Sequence, residues 1–139
     1  MNLAASHAIL ISREGNILLQ HKDDYAKILN PGKISMFGGA IENSETEIEC
    51  LRRELDEELE LKLDDYKFYK FKEYLKTVKE DGIESKMSVY IIEDVEKEKL
   101  ILHEGQAIID DKIENLLDNP KLTRIAKMAI EDYLKAMNK

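Results

Sequence analysis

An α/β fold, with a mixed sheet sandwiched between helices, is what the sequence predicts. Three observations carry that expectation: aliphatic runs near the N-terminus, a glutamate-rich amphipathic helix after them, and a second strand-rich segment closed by a helical C-terminal part. With 139 residues, 43% of them hydrophobic, the chain is expected to be one domain, 1–139, with a sizeable core.

Ala8 to Ser12 and Ile17 to Gln20 read as strands, and Arg13-Glu14-Gly15-Asn16 between them reads as a tight turn. His7 and His21 flank the pair; histidines in such places are more often surface or hydrogen-bonded structural residues than metal ligands. Lys22 to Lys33 reads as a polar loop containing Asn30-Pro31-Gly32, with lysines that are either solvated or open to a phosphate. Ile34 to Phe37 then reads as a short strand delivering Gly38-Gly39, where the missing side chains let backbone come close to a metal or phosphate.

The helix follows. Ser44 with Glu47 has the spacing of a capping box, and Ile48, Leu51, Leu55 and Leu59 form an apolar stripe that must face a core. Cys50, the lone cysteine, reads as a small buried thiol, consistent with a reducing compartment. Glu54, Glu57 and Glu58 stand at i, i+3 and i+4 on another face, where like charges repel by roughly a few tenths of a kcal/mol per pair. Such a face is either solvated or neutralised by a hard cation, for which Mg²⁺ or Mn²⁺ is suited.

Tyr66 to Val78 and Ile83 to Val95, with Asp81-Gly82 between them, read as a hairpin. Tyr69, Phe71 and Tyr74 on it could stack on a base but more often such residues simply pack. Glu96 to Leu100 reads as a solvated turn, Asp111 to Leu117 as a short amphipathic helix. Asn119-Pro120 supplies a cap and a first-turn proline for a last helix, with Leu122, Ile125, Ala126, Ala129, Ile130, Tyr133, Leu134 and Met137 as its apolar stripe.

Context sharpens the glutamate triplet. Gly39, five residues, Glu45, seven residues, then Arg53-Glu54-Leu55-Asp56-Glu57-Glu58 is a fixed spacing. At about one in ten per position, its seven fixed matches coincide by chance on the order of once in 10⁷ registers, and about ten times more often in so acidic a chain, so the pattern is specific. It resembles the signature of the Nudix hydrolases, Gly-x5-Glu-x7-Arg-Glu-U-x-Glu-Glu-x-Gly-U, where U is a bulky aliphatic residue. Gly39, Glu45, Arg53, Glu54, Leu55, Glu57, Glu58 and Leu61 match; Glu60 stands where the pattern has its late glycine, and Phe37 where many members have proline. That glycine would end the helix in a left-handed turn, so Glu60 puts the helix exit in question and leaves the carboxylate face intact.

The resemblance implies a Nudix-like α/β/α sandwich with a mixed central sheet. It implies metal ligands at the Gly39 carbonyl and at Glu54, Glu57 and Glu58, with one more glutamate from a loop after the later strands, for which Glu104 is the candidate. Mg²⁺, with Mn²⁺ as substitute, is the expected cofactor. Arg53 is expected to fix the carboxylates, Glu45 to secure the loop before the helix, and Glu54 or Glu104 to act as general base. The expected activity is hydrolysis of a diphosphate bond in a nucleoside diphosphate linked to another group, as in a nucleoside triphosphate or nucleotide sugar. Metal-activated water would attack, and loops such as Lys22 to Lys33 would choose the substrate.

Composition narrows the alternatives. A net charge of -8 disfavours a broad nucleic-acid or anionic-membrane surface, and with it an RNA 5′-end pyrophosphohydrolase. A small nucleotide remains the expected partner, with monomer and homodimer both open. An isomerase of isopentenyl diphosphate on this fold would need a reactive cysteine elsewhere, and Cys50 is the only one. A Nudix-fold module that binds or senses a nucleotide without cleaving it stays open, against the complete Arg-Glu-Leu-x-Glu-Glu run. The start lacks a basic segment ahead of its apolar run and no stretch approaches a membrane span, so a cytoplasmic protein is expected.

Overall fold

The structure, a computed structural model, describes residues 2–24, 31–78 and 83–138. Seven strands, β1 (Asn2–Ser12), β2 (Ile17–His21), β3 (Ile34–Ser35), β4 (Phe37–Ala40), β5 (Phe68–Val78), β6 (Ile83–Val95) and β7 (Ala107–Asp111), join in one sheet. Three helices, α1 (Glu47–Leu59), α2 (Ile113–Leu117) and α3 (Arg124–Met137), cover its faces. The sheet is mixed: β1 runs parallel to β6 and antiparallel to β2 and β4.

Alternation along β1 builds both cores. Ala8 and Leu10 point to one face and pack with Phe37, Leu51, Leu55, Leu59, Tyr90 and Ile92 under α1. Ile9 points to the other, where Ile17, Leu19, Val89, Ile91, Ala126, Ala129 and Ile130 pack under α3. Two sealed faces make the expected α/β/α sandwich. Among the described residues no helix is long and apolar enough to cross a membrane.

One irregularity places the glycine pair. β1 and β2 pair only at Leu10↔Leu18 and Ile11↔Ile17 and then part. The segment from β3 to β4 enters the fork: β3 pairs β2 through Gln20↔Ser35, while β4 pairs β1 through Ser6↔Gly39 and His7↔Gly38. Gly38 and Gly39 therefore sit inside the sheet, opposite β1.

Several expectations need correcting. The expected strand Ile34 to Phe37 is broken at Met36 by the passage from β2 to β1 as partner. Helix α1 is capped by Thr46, not Ser44: its hydroxyl accepts from the Glu49 amide at 3.1 Å while the Glu49 carboxylate accepts from the Thr46 amide at 2.9 Å. Both spacings are present in the sequence, and in the rival one Glu47 is engaged by Tyr90 and Lys70. Ile48 does not belong to the core stripe; it is 38% exposed, because the buried arc of α1 is rotated toward Cys50 and Glu58.

The last helix starts at Arg124 with Thr123 as its cap, not at Pro120. Lys121 to Thr123 is spent on the sheet: the Ile34 amide donates to the Lys121 carbonyl and the Thr123 amide to the Ile34 carbonyl, both at 2.9 Å. Met137 lies half exposed at the helix end, outside the stripe that Ala126, Ala129 and Ile130 bury. Strand β7 had no sequence expectation; it pairs the outer edge of β2 from Ile17↔Asp111 to His21↔Ala107. The hairpin of β5 and β6 forms as expected, and its Asp81-Gly82 turn, like Asn30 of the Lys22 to Lys33 loop, lies outside the described residues. Phe71 packs edge-on against Tyr133, ring centres 5.9 Å apart, and the Tyr74 hydroxyl donates to Asp132 at 2.6 Å, so both are packing residues; Tyr69 is 43% exposed.

Candidate active site

Helix α1 carries its acids past the glycine pair. Its first turn is fixed to the sheet: the Ser6 hydroxyl donates to the Glu47 carbonyl, the Tyr90 hydroxyl donates to the Glu47 carboxylate, and Lys70 pairs with that carboxylate, each at 2.9 Å. With its start pinned, the helix presents Glu54 and Glu58 to Gly39 and Gly38. The Gly38 amide donates to Glu58 Oε1 at 2.9 Å. A Cβ on Gly39 would stand 2.5 Å from Glu54 Oε1, so the absence of a side chain there is what admits the carboxylate.

Arg53 ties the loop to the acids. Its Nε and Nη2 hold both Glu45 oxygens at 2.7 and 2.9 Å, its Nη1 donates to Glu54 at 3.0 Å and to Glu57 at 3.5 Å, and Nη2 also reaches the Ala40 carbonyl at 3.2 Å. Cys50 is buried beneath, its thiol within 3.5 Å of the Gly39 carbonyl oxygen and 3.4 Å of that of Ala40.

Glu104 arrives from the far side. The Ile101 amide donates to the Leu59 carbonyl at 2.9 Å and the His103 amide to the Glu58 carbonyl at 2.8 Å, strapping the loop to the end of α1. On its other flank Gln20 donates to the Glu104 carbonyl at 3.2 Å and the Gln106 amide to that of His21 at 2.7 Å.

Electrostatics reflect the crowding. Burial pushes the Glu58 carboxyl up to about 9, with Glu54 and Glu104 adding to the rise against the Gly38 amide and Lys22. Glu54 is raised too, by burial first, with Glu57 and Glu104 adding and Arg53 opposing. Glu45, held by Arg53 and by the Glu42 amide, falls to about 2. His7, expected at the surface or hydrogen-bonded, has a buried Nδ1 with no partner among the described residues, and burial with nearby Lys22 lowers it to about 4.

The structure thus brings Glu54, Glu58, Gly39 and Arg53 together, sets Glu104 exposed on the loop strapped to the end of α1 with its charge felt at Glu54 and Glu58, and leaves Glu57 half exposed at the rim. Among the described residues no three His, Cys, Asp or Glu side chains are drawn tightly enough together to hold a metal ion as they stand. The donor set still fits a hard divalent cation: a carboxylate whose charge is disfavoured by burial first and by its acidic neighbours second, beside a glycine too tight for a Cβ, gains most from a positive charge brought among them. Sequence reasoning missed the Gly38 amide as partner of Glu58; its only signal was the doubled glycine.

The chain matches the NUDIX domain family over residues 1–127. No curated protein matches it. Among solved structures it is similar to the MutT protein from Methanosarcina mazei Go1, with TM-score 0.79 and 17% identity over 99% of this chain and 96% of that one. It is similar to the dihydroneopterin triphosphate pyrophosphohydrolase of E. coli (TM-score 0.74, 12% identity, 96% and 95% covered). The NUDIX domain of Shewanella oneidensis NrtR complexed with ADP ribose is a third (TM-score 0.76, 14% identity, 99% and 89% covered). At these identities the likeness is one of fold.

Proposed function

The chain belongs to the NUDIX family, and from that premise we propose that it is a divalent-metal-dependent hydrolase of a diphosphate bond in a nucleoside diphosphate linked to another group. The observation that supports this reading is the placing of Glu54 and Glu58 against the glycine pair, within reach of the Glu104 charge. Residues 1–139 act as a single domain, on a small nucleotide, in the cytoplasm.

Glu54, Glu57, Glu58 and Glu104 with the Gly39 carbonyl would hold Mg²⁺, or Mn²⁺ in its place. The cation when bound supplies neutralisation of the diphosphate charge and an acidified water. Arg53 holds Glu54 in place and ties it, through Glu45, to the loop that starts α1. Glu54 or Glu104 accepts the proton of the attacking water. Lys22, whose charge opposes the rise of Glu58, is the lysine assigned to a substrate phosphate in this reading.

A panel of nucleoside triphosphates, nucleotide sugars and dinucleoside polyphosphates, assayed with Mg²⁺ for release of phosphate or pyrophosphate, tests the reading. Turnover of one class, lost on chelation and reduced by orders of magnitude in E57Q and E58Q, is expected; full activity in both variants would refute it. A nucleotide-binding module that does not cleave is the second reading, favoured by the outward position of Glu57. Binding without turnover across the panel would establish it instead.

A further inference from the structure

Helix α1 ends in a residue that ought to be strained. Glu60 takes the left-handed conformation, φ 52 and ψ 33, which disfavours a residue with a Cβ relative to glycine. Its amide closes the helix onto the Asp56 carbonyl at 2.9 Å, a bond glycine would make equally well. What glycine could not supply is the side chain: Glu60 Oε2 lies 2.6 Å from His103 Nε2. Both partners are about half exposed, and an exposed pair of this kind adds little to stability, no more than the strain it accompanies takes away. Stability therefore does not account for the arrangement. Its geometric consequence does: His103 immediately precedes Glu104, and its ring is fixed on the helix whose Glu54 and Glu58 the Glu104 charge reaches.

We propose that Glu60 and His103 are a positioning pair that straps the Glu104 loop to the exit of α1 and so sets where the Glu104 carboxylate stands relative to Glu54 and Glu58. This rests on the reading of Glu104 as a site carboxylate. The two backbone bonds from Ile101 and His103 fix the height of the loop on the helix; the side-chain pair fixes its rotation toward the acids.

The test uses the full chain with E60G, E60Q, H103A, the E60G/H103A double variant and E104Q. In metal-free protein, E60G should unfold at the same temperature as the parent or higher, since strain is relieved, while the amides of Ile101 and His103 exchange with solvent roughly ten-fold faster. On the nucleotide hydrolysed fastest in the panel, E60G and H103A should each lower kcat by roughly three- to ten-fold with KM little changed. The double variant should be no worse than either single one, and E60Q, which keeps an acceptor for the ring, should recover most of the loss. Parent-like exchange and kcat in E60G, or losses that multiply in the double variant, would overturn the strap. Parent-like kcat in E104Q would overturn the role of Glu104 itself, whereas an impaired E104Q beside a fully active E60G removes the strap alone.

Discussion

Arg53 grips Glu45 in a two-pronged fork, Nε to Oε2 at 2.7 Å and Nη2 to Oε1 at 2.9 Å, and so joins the middle of α1 to the loop that leads into it. The same guanidinium holds Glu54 through its remaining nitrogen. A lysine has one charged point and no fork, so R53K should lose the loop even though the charge survives. Thermal unfolding should show a loss of about 2 kcal/mol, and turnover should fall roughly ten-fold or more because Glu54 drifts. Parent-like values in both measurements would remove Arg53 from its assigned role.

The paired glycines should respond in opposite ways to the same methyl group. In G38A the new Cβ would stand 2.2 Å from the Ser6 carbonyl oxygen and 2.6 Å from the His7 Cα, at φ +135, so backbone must move; a loss of about 2 kcal/mol or more is expected in urea unfolding. G39A meets only the tip of Glu54, at 2.5 Å, and that tip can swing away. It should fold almost normally and yet lose activity.

Glu58 makes the metal-free protein sensitive to alkali. Its folded carboxyl, raised to about 9, stays protonated where the unfolded one has ionised, so the unfolded state binds fewer protons and stability falls as pH rises from about 4.5 to about 9. E58Q mimics the protonated acid and should flatten that decline when unfolding is followed across the pH range without metal. Added Mg²⁺ should flatten it in the parent and not in the variant.

Glu47 should act at the acid end. Burial opposes its charge, but Lys70 and the Tyr90 hydroxyl outweigh burial and lower it to about 2. Its contribution is complete above about 4.5 and is lost as pH falls toward 2. E47Q should cost about 1 kcal/mol at pH 7 and little at pH 2.5, read from urea unfolding at the two values.

Much of this was legible in the residues, for identifiable reasons. Continuous aliphatic runs such as Ala8 to Ser12 and the helical Leu51, Leu55, Leu59 stripe announce buried elements, because such patterning is a local property of sequence. The glutamate triplet was legible as a group but not in its division of environments. Whether Glu58 is buried and Glu57 exposed depends on the rotation of α1, which Ser6, Lys70 and Tyr90 fix from distant strands. The caps at Thr46 and Thr123 were missed for a related reason: each competed with a rival signal, of which Glu47 in one case and Asn119 in the other are bonded elsewhere. Strand β7 follows a loop of mixed character, and only the free edge of β2 makes Ala107 to Asp111 extended.

The solitary thiol of Cys50, raised by burial and lying 3.9 Å from Arg53 Nη2 under the glycine segment, offers a clock for the region. A thiol-modifying reagent can meet it only when α1 lifts away from the Gly39–Ala40 strand. Each chain would report a single labelling event, and slower labelling with Mg²⁺ and nucleotide present would time how firmly bound ligand closes that seam.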